Sequence, residues 1–172
     1  MNSLKLHDWV QILGTVAIVV SLVFVGLQLR QTHSIAIANQ YQERAALNIN
    51  YQLAALQNDT VLAFHGSNRK QQFLSSDFPD EVKKLAESLS DEVAGFLSVS
   101  TIYSYLVFDN NHFQYQSGFL AEETWQVYRN ELKGYLNGDT YLFVWSRTKH
   151  TYRPEFQELV DELILENRTE ID

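Results

Sequence analysis

WVQILGTVAIVVSLVFVGLQL, residues 9–29, contains no charged side chain and lies between Asp8 and Arg30. As a helix rising ~1.5 Å per residue it spans ~31 Å, matching the ~30 Å hydrocarbon core of a bilayer. The stretch therefore predicts a transmembrane helix over 9–30, with a short tail at 1–8 before it and a soluble domain over 31–172 after it. A cleaved signal peptide has a shorter apolar run, ~7–15 residues, with a small-x-small site directly behind it. Here the nearest such site, Ala36-Ile37-Ala38, lies beyond Arg30 and His33, so the segment reads as a retained anchor.

The distribution of side chains around this helix says more than its length. At 100° per residue Gln11, Gly14, Thr15, Ser21, Gly26 and Gln28 fall within an arc of ~160°, and Ile12, Leu13, Val16, Val20, Val23, Phe24 and Leu27 fill the opposite side. Buried amides and hydroxyls in hydrocarbon favour partners, and small residues let helix backbones approach closely. The seam predicts self-association, or packing against another membrane protein. Gly14, Ser21 and Gln28 also recur at seven-residue intervals, the period that keeps one face toward a helix bundle. An alternative reading of the same seam is a homo-oligomeric channel lined by Gln11, Ser21 and Gln28. The span holds no ionisable group, which disfavours a proton relay or a voltage-sensing helix.

Removing Lys5 and Arg30 from the 13 basic residues, and Asp8 from the 21 acidic ones, leaves 11 against 20 beyond the span. So acidic a domain repels phosphate backbones and anionic headgroups, which argues against nucleic-acid binding and against a domain lying flat on lipid. From Glu155 to Asp172 seven acids face a single base, Arg168, and the run reads as a solvated helix face with an acidic end. The chain has no cysteine. That removes disulfides and thiolate chemistry and suits a domain outside an oxidising compartment. With the slight excess of positive charge at Arg30 and Arg44, it gives an N-out orientation with the domain in the cytoplasm.

The domain reads as all-helical. No Gly or Pro interrupts the chain between Arg30 and Gly66, and Ala38, Tyr41, Ala45, Ile49, Leu53 and Leu56 keep helical spacing, so the membrane helix is expected to continue as a stalk over 31–57. Asn58-Asp59 offers a cap for a short helix that Gly66 would end, with a loop from Ser67 to Ser76. Ser76-Asp77 and Pro79 open a long central helix over 77–117, stopped at Ser117-Gly118. Further helices are expected over Ala121–Leu136, after a cap at Asp139, and from Pro154. Together they form a small helical bundle with its aromatic residues concentrated between Tyr103 and Phe156.

Several features resemble a widespread, uncharacterised group of small bacterial single-pass membrane proteins. They are Asp8-Trp9, the small-residue-rich span, the Gln28-Leu29-Arg30-Gln31 exit, Asn110, Gln114-Tyr115, Gly118-Phe119-Leu120, Trp125, Trp145, and Arg153-Pro154-Glu155-Phe156 with Val160. The resemblance implies a bacterial inner-membrane location and a helical domain, and it carries no activity to transfer.

The residues give no sign of catalysis. His7, His33, His65, His112 and His150 form no His-Glu-x-x-His or Glu-x-x-His pattern, so no metal or other cofactor is expected. Ser98, Ser100 and Ser104 lack a nucleophile elbow, and Glu122-Glu123 fits the first turn of a helix. One polar group remains. Ser100, Asn110 and Gln114 sit on the 3–4 repeat of the central helix, where they predict a buried polar network or, less economically, a ligand site. An interaction or scaffold protein is the reading these residues favour, with a channel and a small-molecule sensor on a membrane stalk as alternatives.

Overall fold

A computed structural model describes residues 6–169, so the tail expected over 1–8 lies outside the described residues as far as residue 5, as do the last three residues of the acidic end. The described chain is helical throughout, with no strand. Its order is α1 (Leu6–Leu56), α2 (Asp59–Leu74), α3 (Asp80–Ser88), α4 (Asp91–Gln116), α5 (Glu122–Tyr135), α6 (Asp139–Thr148), a single 3₁₀ turn (Lys149–Thr151) and α7 (Pro154–Thr169). The chain divides into two compact units, 1–40 and 41–172.

The first unit is the helical segment that carries the apolar run. Every side chain from Trp9 to Ile37 is exposed, and α1 is long and apolar enough to cross a membrane. Isolated in water, such a surface would be costly to hydrate.

The second unit is built around α4. Tyr105, Phe108, Leu132, Phe143, Trp145, Tyr152, Phe156, Val160 and Leu163 form its main core, drawn from α4, α5, α6, the turn and α7. Ring follows ring through it: Tyr105 lies 5.1 Å from Trp145, Trp145 5.5 Å from Tyr152, and Tyr152 5.8 Å from Phe156, measured between centroids. At the outer end of the bundle Glu166 of α7 pairs with Arg129 and Lys133 of α5, and Asn167 donates to the Lys133 carbonyl at 2.9 Å.

Several helix boundaries differ from the sequence expectation. Gly66 does not end its helix, and α2 runs on to Leu74 through the stretch expected to be a loop. The glycine serves a crossing of helices. A Cβ on Gly66 would sit 1.6 Å from the Asp91 carbonyl oxygen, and one on Gly95 would sit 1.9 Å from that of Leu62, so α2 and α4 touch backbone to backbone.

The long helix expected over 77–117 is broken at Leu89-Ser90 into α3 and α4. Ser90 is extended (ψ 160°) and its hydroxyl accepts from the Val93 amide at 3.3 Å, a cap followed by Asp91 and Glu92 in the first turn. Lys70 of α2 holds the break, donating to the Leu89 carbonyl at 2.7 Å and pairing with Asp91 at 3.3 Å. Pro79, not Ser76, is the residue preceding α3, and Gly138, not Asp139, precedes α6. The stop of α4 is at Gly118, whose φ of 77° is open to glycine at little steric cost; the Phe119 amide there reaches back to the Gln114 carbonyl at 2.8 Å.

Candidate functional site

Two features stand out, one in each unit. In the first unit the seam residues lie on the exposed helix. The Thr15 hydroxyl donates to the Gln11 carbonyl at 3.0 Å, and the Ser21 hydroxyl to the Ala17 carbonyl at 2.8 Å, so both fold onto their own backbone. Gly14 and Gly26 have nothing within 4 Å of a Cβ built on them. That side of the helix carries small groups and two amides, Gln11 and Gln28, neither of which bonds to another described residue, with Ile18, Leu22 and Val25 exposed among them.

In the second unit the polar trio expected on α4 does not come together. The Ser100 hydroxyl is spent locally on the Leu97 carbonyl at 3.1 Å. Asn110 Oδ1 and Gln114 Nε2 are buried without hydrogen-bond partners. The polar network of the domain lies instead on another face of the same helix, where Tyr105, Asp109, His112 and Gln116 follow one another at three- and four-residue steps.

Arg153, in the extended residues before α7, is its centre. Nε donates to Asp109 Oδ1 at 3.0 Å and lies 3.0 Å from the Tyr41 hydroxyl. Nη1 donates to Gln116 Oε1 at 3.1 Å, and Nη2 donates to the Asp109 backbone carbonyl at 3.2 Å. Tyr41 completes the set by donating its hydroxyl proton to Asp109 Oδ2 at 2.7 Å. Two rings flank the guanidinium: Phe113 at 5.1 Å and Tyr41 at 5.4 Å, themselves stacked 4.1 Å apart. A planar cation that spans the carboxylate and backbone carbonyl of one residue and is set against aromatic faces is the arrangement arginine offers and lysine does not.

His112 lies 3.5 Å through Nδ1 from Arg153 Nη2, and its ring stacks on Trp125 at 5.1 Å. Arginine can only donate, so Nδ1 must accept, and the imidazole is neutral with its proton on Nε2. Burial, and then the Arg153 charge, pull its pKa down to about 4. Burial pushes the Asp109 carboxyl above its usual value, against the opposing pull of Tyr41 and Arg153. Burial, and then the bond to Asp109, push the Tyr41 phenol well up. With the guanidinium engaged on all three nitrogens, the group acts as a clasp joining residue 41, α4 and the start of α7.

The His112 environment fixes a pH dependence. Between pH 6.5 and about 4 the unfolded chain binds a proton that the folded chain refuses, so stability is full above that window and falls as pH drops through it. Asp109 works in the opposite sense, since its folded carboxyl takes up a proton more readily than the unfolded one. The expected net loss is on the order of 2 kcal/mol. Urea unfolding of wild type and His112→Phe, which keeps a ring against Trp125, checks this: the midpoint of the variant is expected to move less between neutral pH and pH ~4.5. Parallel curves for the two proteins would remove His112 from the pH dependence.

Sequence reasoning missed this clasp because Arg153 entered the helical reading only as the residue before the helix expected from Pro154. The signal was nevertheless present in Asp109 and His112, charged or titratable groups on the stripe that Tyr105 places in the core.

Comparison of the chain with protein-family models, with curated proteins and with solved structures finds no match.

Proposed function

We propose that this protein is a single-pass anchor of the bacterial inner membrane that associates with further copies of itself through the seam of α1, presenting its acidic helical domain in the cytoplasm as an interaction or scaffold element. The observation that carries this reading is the segregation of Gln11, Gly14, Thr15, Ser21, Gly26 and Gln28 on one side of an otherwise apolar, fully exposed helix segment. A lone helix in lipid gains nothing from such sorting, whereas a helix pair gains close backbone approach and partners for its amides. The hydroxyls of Thr15 and Ser21, bonded to their own backbone, suit packing better than the lining of a pore. The resemblance to small bacterial single-pass proteins agrees with the placement.

The test is the mass of the full-length protein in detergent, by light scattering with detergent correction, alongside a Gly14→Leu, Ser21→Leu variant. Wild type is expected as a defined oligomer and the variant as a monomer. A wild type that is strictly monomeric, and crosslinks to nothing from position 21, would refute the reading. Orientation has its own check, made simple by the absence of cysteine. A single cysteine at exposed Glu87 is expected to react with a membrane-impermeant maleimide in inside-out vesicles and not in intact cells, and the reverse pattern would invert the topology.

A further inference from the structure

A small cavity of about 70 Å³ opens between α2, α3, α4 and α6 of the second unit. Phe73, Ala86, Leu97, Phe143 and Val144 give it an apolar lining, and none of its lining residues is acidic. Three cations stand at or beside it. Lys70 is engaged with Leu89 and Asp91. The other two are not paired with any acid. Arg69 is half-buried and lines the cavity, and its only hydrogen bond is from Nη1 to Gln72 Oε1 at 3.2 Å. Arg147, exposed on α6, does not line the cavity but stands over the ring of Phe143, which does, 5.7 Å from its centroid.

This is an unusual arrangement for a chain with 21 acidic residues against 13 basic ones. A partly desolvated guanidinium is normally matched by a carboxylate. Burial, and then repulsion from Arg147, lower the pKa of Arg69 against a smaller opposing pull from Tyr152, and no carboxylate contributes. Ser98, only 5 % exposed, also lines the cavity. An open apolar slot with half-buried Arg69 on its wall and exposed Arg147 over Phe143 is complementary to a molecule that is apolar at one end and anionic at the other.

We propose that this cavity binds a carboxylate with a short alkyl tail, the tail lying among Phe73, Leu97 and Phe143 and the carboxylate between Arg69 and Arg147. The planar, bidentate carboxylate matches the fork of a guanidinium, and the cavity volume limits the enclosed part to a few carbons. The acid is either a free short-chain carboxylate or the carboxyl end of a lipid-derived fatty acid.

Calorimetric titration of the full-length protein in non-ionic detergent with hexanoate tests the site. The expected result is saturable binding with a Kd on the order of 1 mM, as befits so small a ligand. Hexan-1-ol, which lacks the charge, and acetate, which lacks the tail, are expected at least about tenfold weaker. Arg69→Gln and Arg147→Gln are expected to weaken hexanoate by a similar factor without moving the melting temperature, and Ala86→Leu to abolish binding by filling the slot. If Ala86→Leu lowers the melting temperature, the two arginine variants carry the test. Octanoate distinguishes the sources: tighter binding than hexanoate marks an open end that accepts a fatty acid, and equal or weaker binding marks a free short acid. No saturable hexanoate binding, hexan-1-ol binding as well as hexanoate, or wild-type affinity in an Arg69→Gln, Arg147→Gln double variant would each overturn the proposal.

Discussion

Gly95→Ala is expected to cost ~3 kcal/mol or more, and Gly95→Val to leave the second unit unfolded. The added Cβ would lie 1.9 Å from the Leu62 carbonyl oxygen and 2.6 Å from its carbon, both backbone atoms that cannot swing away as a side-chain tip does. Overpacking of a well-packed core usually costs about 1–3 kcal/mol. Here the relief requires α2 and α4 to separate along their whole crossing, which also loosens Ala55, Leu62 and Val99. Set against a typical stability of ~5–15 kcal/mol, this removes a large share of the fold. The expected melting temperature falls by roughly 10 °C for the alanine variant, read by the loss of far-ultraviolet circular dichroism. Gly134→Ala is the control: that glycine is exposed on α5 with nothing within 4 Å of its Cβ, so alanine is expected to add about 0.5–1 kcal/mol through helix propensity alone. An alanine at 95 that melts with wild type would mean that the two helices do not cross as closely as described.

Arg153→Met is the second large effect, expected at about 3–5 kcal/mol because it leaves a buried carboxylate with only the Tyr41 hydroxyl as a side-chain partner. The side chains of Arg153 and Asp109 are 19 % and 9 % exposed, so solvent does little to screen what remains. Adding Asp109→Asn to Arg153→Met removes the stranded charge and is expected to restore part of the loss. The double variant is therefore more stable than the single one, a non-additivity that a chemical-denaturation cycle measures directly. Additive losses would show that the two residues contribute independently and that the clasp is not a unit.

These two sites illustrate what could be read from the chain and what could not. The all-helical class and the exposed apolar run of α1 follow from periodicity and length, which are local properties. Gly118 was legible as a stop because its positive φ is a need that only a local sequence meets. Gly66 was not, since a glycine that ends a helix and one that admits a second helix look alike until the partner, here Asp91 with Gly95 behind it, is in place. The break at Ser90 hid inside an unbroken apolar rhythm; the cap needed only one serine, and Lys70 came from another helix.

The same distinction separates the polar candidates. Asn110 and Gln114 are neighbours in sequence of the groups that matter, one or two positions from Asp109, His112 and Gln116. On a helix one residue is 100° of rotation, enough to carry a side chain out of reach of Arg153. What assigns Asp109 its role is Arg153, 44 residues later, and Tyr41, 68 residues earlier, and no local pattern announces either.

The separation of 112 residues between Tyr41 and Arg153 has a consequence for the birth of the molecule. At a synthesis rate of about 5–20 residues per second, residue 41 leaves the ribosome roughly 6–20 s before residue 153 does. Asp109 follows Tyr41 by 68 residues and then waits another 44, roughly 2–9 s, for the cation that meets it. The nascent domain therefore passes its last stage of translation as an unfastened intermediate, and release of the final helix is the event that locks it.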